Sequence, residues 1–269
     1  MPLAKNRIRD IRSLALRKGR DARGLFLAEG LRLVQDAAAS GAGITEVFAT
    51  DEFARSAHGG ALLGVLRAKG TPCRPVSARE LAAIADTVHA QGIVALVRIP
   101  GEESPEILRR AGSPAVVVAL DAVADPGNLG TIVRTCDWFG AAGLLLGRGS
   151  VDLYNPKVVR ATMGGLFHLP CAQQVDIADA ARAAHREGFS VVVADPSRGS
   201  PEDETAFAPR SLIILGNEAH GIDPAVAALA DAHVAIRRRG SGESLNVGVA
   251  CGIILAACRR RQEQRAGST

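Results

Sequence analysis

The stretch LIILGNEAHG, residues 212–221, is the part of this chain that decides the fold. Its first four residues are an unbroken apolar run, and residues 216–221 form a polar loop with two glycines. A strand that is apolar at every position is expected to be buried on both faces, as in a parallel sheet covered by helices. Ligands bind beyond the carboxyl ends of such strands, so the loop is predicted to line a binding site.

Two further stretches repeat this arrangement. DPGNLGTIVR, residues 125–134, follows the apolar run 116–120, and SLNVG, residues 244–248, opens the last predicted helix. We call residues 125–134, 216–221 and 244–248 segments 1, 2 and 3. Because the carboxyl ends of parallel strands lie at one edge of a sheet, the three segments are expected to form one site.

The alternation of strands and helices predicts an α/β fold with two domains. A proline-, glycine- and glutamate-rich stretch at residues 100–105 marks the end of a small α/β domain, residues 1–105, which is followed by a linker, residues 106–113. The second domain, residues 114–269, is predicted to contain a mostly parallel sheet with helices on both faces.

Individual elements follow from hydrophobic periodicity. In the first domain they are a helix over 26–39, strands over 44–49 and 72–76, a helix over 62–69, a capping box at Ser77 and Glu80, and a strand from Ile93. In the second domain the strands cover 116–120, 143–147, 191–194, 212–215 and 233–236, and the helices cover 129–139, 156–167 and 246–261, with one more helix starting at Asp223.

Composition narrows the class of protein. A hydrophobic content of 47% is enough for both domains to bury a core. The five cysteines form no CxxC pair, and their odd number argues against a disulfide framework and for the reducing cytoplasm. No apolar run is long enough to span a bilayer, so no membrane association is expected. The histidines lack the spacing of metal ligands, so no metal is expected.

Positive charge is concentrated near the amino terminus. The net charge is only +4, so the placement of the charges matters more than their sum. Such a cluster suits contacts with a phosphate backbone, although a solvated helix face that keeps the protein soluble explains it equally well. The residues of this cluster that are predicted to contact a phosphate backbone are Lys5, Arg7, Arg12, Arg17, Lys18, Arg20 and Arg23.

Segment 1 is predicted to begin a helix with Asn128 as its cap. Leu129, Ile132 and Val133 then form the buried stripe, which leaves Arg134 pointing outward, either as an ordinary surface arginine or toward a phosphate or ribose. The dinucleotide motif GxGxxG is absent after the strand at 116–120, and no P-loop, GxSxG or HExxH motif is present. These absences argue against the corresponding chemistries.

These segments carry a resemblance to a known family. Residues 114–260 closely resemble the SpoU/TrmH family of S-adenosylmethionine-dependent RNA 2′-O-ribose methyltransferases, within the SPOUT superfamily. The matching motifs are Asn128 through Arg134, Leu215 through Ile222, Ser244 through Val247, and the stretch NPKVVRATMGGLFHLP at 155–170. Residues 26–34 are similar to the L30e-like substrate-binding domain that precedes the catalytic domain in members acting on ribosomal RNA.

The resemblance implies a trefoil knot in the second domain, S-adenosylmethionine as cofactor, and a homodimer. Carried over residue by residue, it implies that the cofactor is bound by Ala194, Leu215, Gly216, Ile236 and Leu245. It implies that the catalytic and substrate-binding residues are Asn128, Arg134, Glu218, Ser244 and Asn246. Because an ordinary guanidinium stays protonated, we expect Arg134 to stabilise a developing alkoxide and bind phosphate rather than to act as a base.

The implied activity is 2′-O-methylation of a nucleotide in structured RNA, with 23S-type ribosomal RNA favoured by the L30e-like domain. Two alternatives stay open. One is a transfer RNA 2′-O-methyltransferase, and the other is a non-catalytic RNA-binding or ribosome-assembly factor on the same scaffold. The intact polar residues of segments 1, 2 and 3 argue against the second alternative.

Overall fold

The structure is a computed structural model of the chain. It describes residues 2–87, 91–101, 104–217, 220–242 and 244–266. The chain divides into two compact units. Unit 1 comprises Met1–Pro100 and Asp152–Phe167, and unit 2 comprises Gly101–Val151 and His168–Thr269.

The helices and strands are numbered in chain order. The helices are α1 Lys5–Arg12, α2 Arg17–Arg23, α3 Leu31–Ser40, α4 Asp51–Arg55, α5 Ala57–Ala68, α6 Ala78–Ile84, α7 Ser104–Arg110, α8 Pro126–Trp138, α9 Pro156–Ala161, α10 Ile177–Arg186, α11 Pro224–Ala227 and α12 Val247–Ala266. The strands are β1 Leu25–Glu29, β2 Ile44–Thr50, β3 Cys73–Val76, β4 Ile93–Arg98, β5 Ala115–Leu120, β6 Gly143–Gly147, β7 Cys171–Val175, β8 Ser190–Ala194, β9 Ser200–Pro201, β10 Arg210–Leu215 and β11 Ala232–Ala235.

Unit 1 is built on a four-stranded mixed sheet in the order β1-β4-β2-β3. Only β2 and β3 are parallel, and the other neighbours are antiparallel. The predicted capping box is confirmed, because the Ser77 hydroxyl accepts from the Glu80 amide and the Glu80 carboxylate accepts from the Ser77 amide. Leu14, Phe48 and Leu96 are fully buried in the core of this unit.

The predicted helix over residues 26–39 is wrong in its first part. Residues 25–29 form β1, which pairs with β4 so that Phe26 lies opposite Val97. Gly30, with φ of 93°, turns the chain between β1 and α3. An apolar run as short as Phe26 to Ala28 fits either structure by periodicity, and the pairing with β4 decides it.

A second piece of chain, residues 152–167, completes unit 1. The buried guanidinium of Arg20 binds the Asp152 carboxylate at its beginning. The ring of Phe26 lies 4.7 Å from that of Tyr154 and 6.1 Å from that of Phe167, measured between centroids. The predicted boundaries assign residues 152–167 to the second domain, whereas their contacts group them with unit 1.

Unit 2 contains a seven-stranded sheet in the order β7-β6-β5-β10-β8-β11-β9, and every pairing is parallel. The predicted parallel sheet is therefore confirmed. On β5, alternate residues such as Val117 pack into a core with α7, α10 and α11. Val116 and Val118 are fully buried as well, toward the opposite face, where α8 and α12 pack on each other. The predicted trefoil knot stays a prediction.

The sequence missed β7, β9 and α10 and assigned a linker to residues 106–113. Residues 104–110 form α7, whose Ile107 and Leu108 are buried in the core of unit 2. The edge strand β7 carries two glutamines, which hide its strand pattern. None of the helices within the described ranges has an apolar stretch that could cross a bilayer.

The Arg20–Asp152 ion pair can be used to test how much residues 152–167 stabilise unit 1. Arg20 also donates to the carbonyls of Leu14 at 2.7 Å and Ala15 at 3.0 Å. Replacing Arg20 with Ala leaves a largely buried carboxylate without its cation, which is expected to lower the free energy of unfolding by about 3–5 kcal/mol. Urea denaturation measures the change.

Arg17→Ala is the matched control, since Arg17 is half exposed and its nearest carboxylate oxygen, on Asp21, is 3.5 Å away. That control is expected to cost less than ~1 kcal/mol. Equal losses in the two variants would contradict a structural role for the buried pair.

Candidate active site

Segment 1 forms the start of α8, and its cap is not the predicted one. The Asp125 carboxylate accepts from the Asn128 amide at 2.8 Å, and Pro126 occupies the first helical position. Asn128 was predicted as the cap. Asp125 takes that role because it stands directly before the proline, where a helix begins most readily. The side chain of Asn128 is therefore available for other contacts.

Asn128 uses its side chain to bind segment 3. The Asn246 side-chain amide donates to the Asn128 side-chain oxygen over 2.8 Å. The other end of the Asn246 side chain accepts from the Gly248 and Val249 amides at 3.0 Å and 3.2 Å, so Asn246 caps α12. Asn246 thus caps the start of α12 and also joins it to α8. This contact confirms that segments 1 and 3 meet.

The two helices behind these segments pack closely. A side chain at Gly248 would place its Cβ 2.9 Å from Thr131, which is shorter than real contacts. One turn deeper, a hydrogen bond with Cys251, together with burial, raises the pKa of the Cys136 thiol well above its ordinary value. Both thiols are fully buried, so they act as packing groups and not as nucleophiles.

Segment 2 is held against the end of β5. Leu215 lies opposite Leu120 in the parallel register, and the Leu215 carbonyl accepts from the Asp121 amide at 2.8 Å. The side-chain amide of Asn217 then donates to the Ala122 carbonyl over 2.7 Å. Segment 2 therefore lies beside the residues that lead from β5 into segment 1, as the sequence predicted.

Segment 2 folds back so closely that position 216 has room only for glycine. Asn217 and Gly221 exchange two backbone hydrogen bonds of 2.9 Å. A Cβ at Gly216 would lie 2.5 Å from backbone atoms of Gly221 and 2.5 Å from Ile222. The space where a side chain would stand at Gly216 is therefore filled by its own loop, and the role of Gly216 in holding the cofactor stays a prediction.

The predicted cofactor residues follow three neighbouring strands. Ala194 ends β8, Leu215 ends β10 and Ile236 follows β11, with β8 lying between the other two. Leu245, just before α12, exposes 48% of its surface. Neighbouring strand ends are where a parallel sheet is expected to bind a ligand, and the role of these residues in holding the adenosyl part of S-adenosylmethionine stays a prediction.

The structure describes two of the three other predicted catalytic residues, and both are exposed. Arg134 lies on the exposed side of α8, and no partner for its guanidinium is found among the described residues. Ser244 is exposed just ahead of the cap of α12. Glu218 lies outside the described residues.

Sequence reasoning missed the ion pair that Arg237 forms beside the site. Arg237 directly follows Ile236, and its amide donates to Glu202 at 3.1 Å while its guanidinium donates to Glu204 at 2.6 Å. The hydrogen bond to Glu204, with the charges of the nearby carboxylates, raises the pKa of Arg237. This ion pair fixes the chain where it leaves β11. The acidic run Glu202 to Glu204 was the available signal.

Comparison with known sequences assigns the chain to a family. The profile of the SpoU rRNA Methylase family matches residues 115–256, and that of the MRM3-like substrate binding domain matches residues 5–95. The chain belongs to the SpoU rRNA methylase family. The first match spans segments 1, 2 and 3.

SpoU relatives resemble this chain over nearly its whole length. The 23S rRNA (guanosine(2553)-2′-O)-methyltransferase RlmP of Bacillus subtilis is 30% identical over 94% of this chain and 96% of its own. The AdoMet-bound rRNA methyltransferase of Sinorhizobium meliloti superposes with a TM-score of 0.85 at 30% identity, covering 97% of both chains. The SpoU methyltransferase AviRb of Streptomyces viridochromogenes, in complex with AdoMet, gives 0.84 at 28% identity, covering 96% and 99%.

These similarities confirm the resemblance drawn from the motifs. The protein is a SpoU-type RNA 2′-O-methyltransferase, its cofactor is S-adenosylmethionine, and its amino-terminal residues match a substrate-binding domain. The roles of the individual site residues stay predictions.

Gly216→Ala tests whether the closed form of segment 2 is needed for the cofactor. The added methyl group overlaps Gly221 and Ile222, so segment 2 must open, and we expect the Kd for S-adenosylmethionine to rise at least tenfold. Isothermal titration calorimetry measures the affinity.

Gly242→Ala is the matched control, because a Cβ at Gly242 has no atom within 4 Å. Its affinity for the cofactor is expected to equal that of the wild type. An unchanged Kd in Gly216→Ala would remove segment 2 from the cofactor site.

Proposed function

We propose that this protein methylates the ribose 2′-hydroxyl of one nucleotide in 23S-type ribosomal RNA. The observation that carries the proposal is the meeting of segments 1 and 3 through Asn128 and Asn246 at the strand ends that carry the predicted cofactor residues. The matches support it over both units, since RlmP, named for a 23S ribosomal RNA nucleotide, aligns with 94% of this chain.

The chemistry requires in-line displacement at a methyl group. Bound S-adenosylmethionine supplies a methyl group on a positively charged sulfur. A bond forms between the ribose 2′-oxygen and the methyl carbon, the carbon–sulfur bond breaks with its electron pair staying on sulfur, and the hydroxyl proton passes to solvent. The task of the protein residues is to position the ribose and to stabilise negative charge on its oxygen.

Arg134 is the residue best suited to stabilise negative charge on the ribose oxygen. It is exposed on α8, and among the described residues none neutralises its guanidinium. A protonated guanidinium donates hydrogen bonds to an alkoxide and to an adjacent phosphate, and it makes a poor base. Asn128 and Asn246 hold the start of α8 in place through their mutual hydrogen bond. Glu218 and Ser244 complete the proposed substrate side.

The proposed RNA surface of unit 1 is smaller than the sequence suggested. Arg20 is 2% exposed and is used entirely inside the unit, so it is left out. Arg7 binds Glu46, and Arg23 binds Asp10 at 2.5 Å. Lys5, Arg12 and Lys18 are exposed and carry the charge that remains most available for phosphate contacts, with Arg17 beside Asp21.

Transfer RNA is the second candidate substrate. The match of residues 5–95 to a substrate-binding domain disfavours it, since the resemblance implies that members acting on transfer RNA often rely on short terminal helices instead. The non-catalytic alternative is set aside, because the family and its named relatives are RNA methyltransferases. Methyl transfer from labelled S-adenosylmethionine to ribosomal RNA and to transfer RNA separates the two candidate substrates.

A homodimer is part of the same proposal. Trp138 at the end of α8 exposes 85% of its surface, and Val249 on α12 exposes 48%. Ile253 and Ala256 continue the row on α12 at helical spacing and are only partly buried. A helix that is apolar on both faces needs a partner on each, and a second copy of α8 and α12 would cover this row. We further propose a cytoplasmic location, supported by five free cysteines.

Arg134→Ala is expected to separate cofactor binding from catalysis. The cofactor Kd should stay within twofold of the wild type, while the turnover number falls by a factor of about 100 to 1,000 because an alkoxide-stabilising donor is lost. Methyl transfer to ribosomal RNA, and mapping of 2′-O-methyl groups in cells with and without the protein, provide the measurements.

Arg186→Ala is the control. Arg186 ends α10, the helix that leads from the carboxyl end of β7 to the amino end of β8, so it lies at the edge of the sheet away from the site. A mutant of Arg134 that keeps most of its turnover would exclude the residue from the mechanism.

Trp138→Glu is expected to convert the dimer to a monomer. A charged side chain placed in an apolar interface would be buried without a partner, and the exposed position of Trp138 in the single chain leaves the fold unaffected. Sedimentation equilibrium measures the mass. Because the chain has one tryptophan, a red shift of its emission on dilution of the wild type reports the same dissociation.

Val65→Glu is the corresponding control, since Val65 on α5 is 50% exposed and lies in unit 1. It is expected to sediment like the wild type. A dimeric Trp138→Glu protein would place the interface elsewhere.

A further inference from the structure

Unit 1 contains a cavity that none of the predicted site residues lines. Its volume is about 210 Å³, and it lies at the junction of β1 and α3. The residues around it are Glu29, Gly30, Arg32, Leu33, Thr87, Gln91, Arg160 and Met163. We call it the Met163 cavity. Sites for drug-sized ligands measure roughly 300–1,000 Å³, so this cavity fits a single small planar group.

The backbone presents Met163 to this cavity in an unfavourable conformation. Met163 has φ of 50°, a left-handed value that non-glycine residues rarely adopt, and 44% of its surface is exposed. The next residue, Gly164, has φ of 97°, and a Cβ there would lie 1.9 Å from the Asp36 carboxylate. Strained backbone under a partly exposed apolar side chain is a feature that concentrates at functional sites.

The turn that carries Met163 is firmly held. Thr162 is fully buried and its hydroxyl donates to the Val159 carbonyl over 2.8 Å. The Met163 amide donates to the Arg160 carbonyl at 3.2 Å, and the Gly165 amide donates to that of Thr162 at 3.1 Å. Stacking of Phe167 on Phe26 anchors the chain just beyond the turn. Met163 is thus a fixed feature of the cavity wall.

The polar side chains around the cavity have more hydrogen-bond donors than their described hydrogen bonds use. The Gln91 side-chain oxygen accepts from the Leu31 amide at 3.2 Å, which leaves its NH₂ group to donate elsewhere. One guanidinium nitrogen of Arg160 donates to Asp86 at 2.7 Å. Arg32 is 72% exposed, and its nearest carboxylate oxygen, on Asp36, is 3.9 Å away.

The charges around the cavity argue against a phosphate as its occupant. Arg32 lies near the Asp36 carboxylate and Arg160 pairs with Asp86, while the Glu29 carboxylate accepts from Thr87 in the cavity wall. The described residues around the cavity therefore give no excess of positive charge. A neutral planar group with hydrogen-bonding edges suits a methionine thioether, guanidinium faces and an amide better. Unpaired RNA bases are bound by stacking on side-chain faces, guanidinium planes among them, and by hydrogen bonds to their edges.

We infer that the Met163 cavity binds one unpaired nucleobase of the RNA substrate, stacked on the Met163 side chain and contacted at its edge by Gln91 and Arg32. The inference rests on the proposed function in taking RNA as the substrate. The cavity would act in substrate selection, because it accepts RNA only where a base is free to leave its helix.

The chain has two methionines, which makes a direct test simple. Protein labelled with ¹³C at the methionine methyl groups and saturated with S-adenosylmethionine is titrated with guanosine, uridine or inorganic phosphate, and the Met163 signal, assigned with Met163→Gly, is followed by NMR. We expect an upfield shift with at least one nucleoside, from its ring current, and none with phosphate.

A shift with phosphate alone would overturn the inference in favour of an anion site. A Met163 signal that depends on protein concentration in the absence of nucleoside would assign the surface to contact between two copies of the chain and would also overturn it. No shift with either nucleoside up to its solubility limit would exclude base binding.

Met163→Gly provides the kinetic test. Glycine relieves the left-handed backbone, so the melting temperature should stay equal or rise, while KM for the RNA rises roughly tenfold through loss of base stacking. The turnover number and the cofactor Kd should not change. Met163→Leu keeps the apolar surface and is expected to retain the wild-type KM. An unchanged KM in Met163→Gly would overturn the inference.

Failure of the inference is distinguishable from failure of the proposed function. Wild-type protein that methylates ribosomal RNA while Met163→Gly is kinetically silent would leave the function standing without the base site. A nucleoside-dependent Met163 shift in a protein that transfers no methyl group to any RNA would do the reverse.

Discussion

The parallel pairing of β10 with β5 is the constraint on which the site depends. It joins residues almost a hundred positions apart in sequence and sets Leu215 opposite Leu120, so that segment 2 leaves the sheet beside the residues leading to segment 1. The Asp121 amide and the Leu215 carbonyl continue the contact past the last paired residues. A slip in this register would separate segment 2 from Ala122 and so dismantle one wall of the site.

Two further features hold α12 against α8 behind the site, and both involve small or uncharged groups. Asn246 joins α12 to α8 with a neutral amide pair, and Gly248 allows the helices to approach where any side chain would overlap Thr131. The buried thiols Cys136 and Cys251 fill the space behind them. At the other end of the two helices the Arg259 guanidinium on α12 donates to the Phe139 carbonyl that caps α8. Arg134 has no such partner among the described residues, which suits binding to an anionic chain.

Much of this arrangement was predictable from sequence, and the failures have physical causes. Continuous apolar runs predicted β5, β6, β8 and β10, because short apolar runs bounded by turn residues and rich in β-branched residues or leucine suit strands that are buried on both faces. The run Phe26 to Ala28 misled because pairing with β4, which is distant in sequence, decides its structure. Asn128 was misassigned as a cap since Asp125 competes for that role, and Arg20 looked like a surface charge because its partner Asp152 lies far along the chain.

Residues 152–167 limit how the amino-terminal domain could be exchanged between related proteins. They follow β6 in sequence, yet their side chains complete the aromatic cluster around Phe26 and neutralise Arg20 in unit 1. A recombination event that transferred only residues before Pro100 would leave a buried arginine unmatched and an aromatic ring uncovered. An exchange of amino-terminal domains between relatives would therefore have to carry residues 152–167 along with residues 1–100.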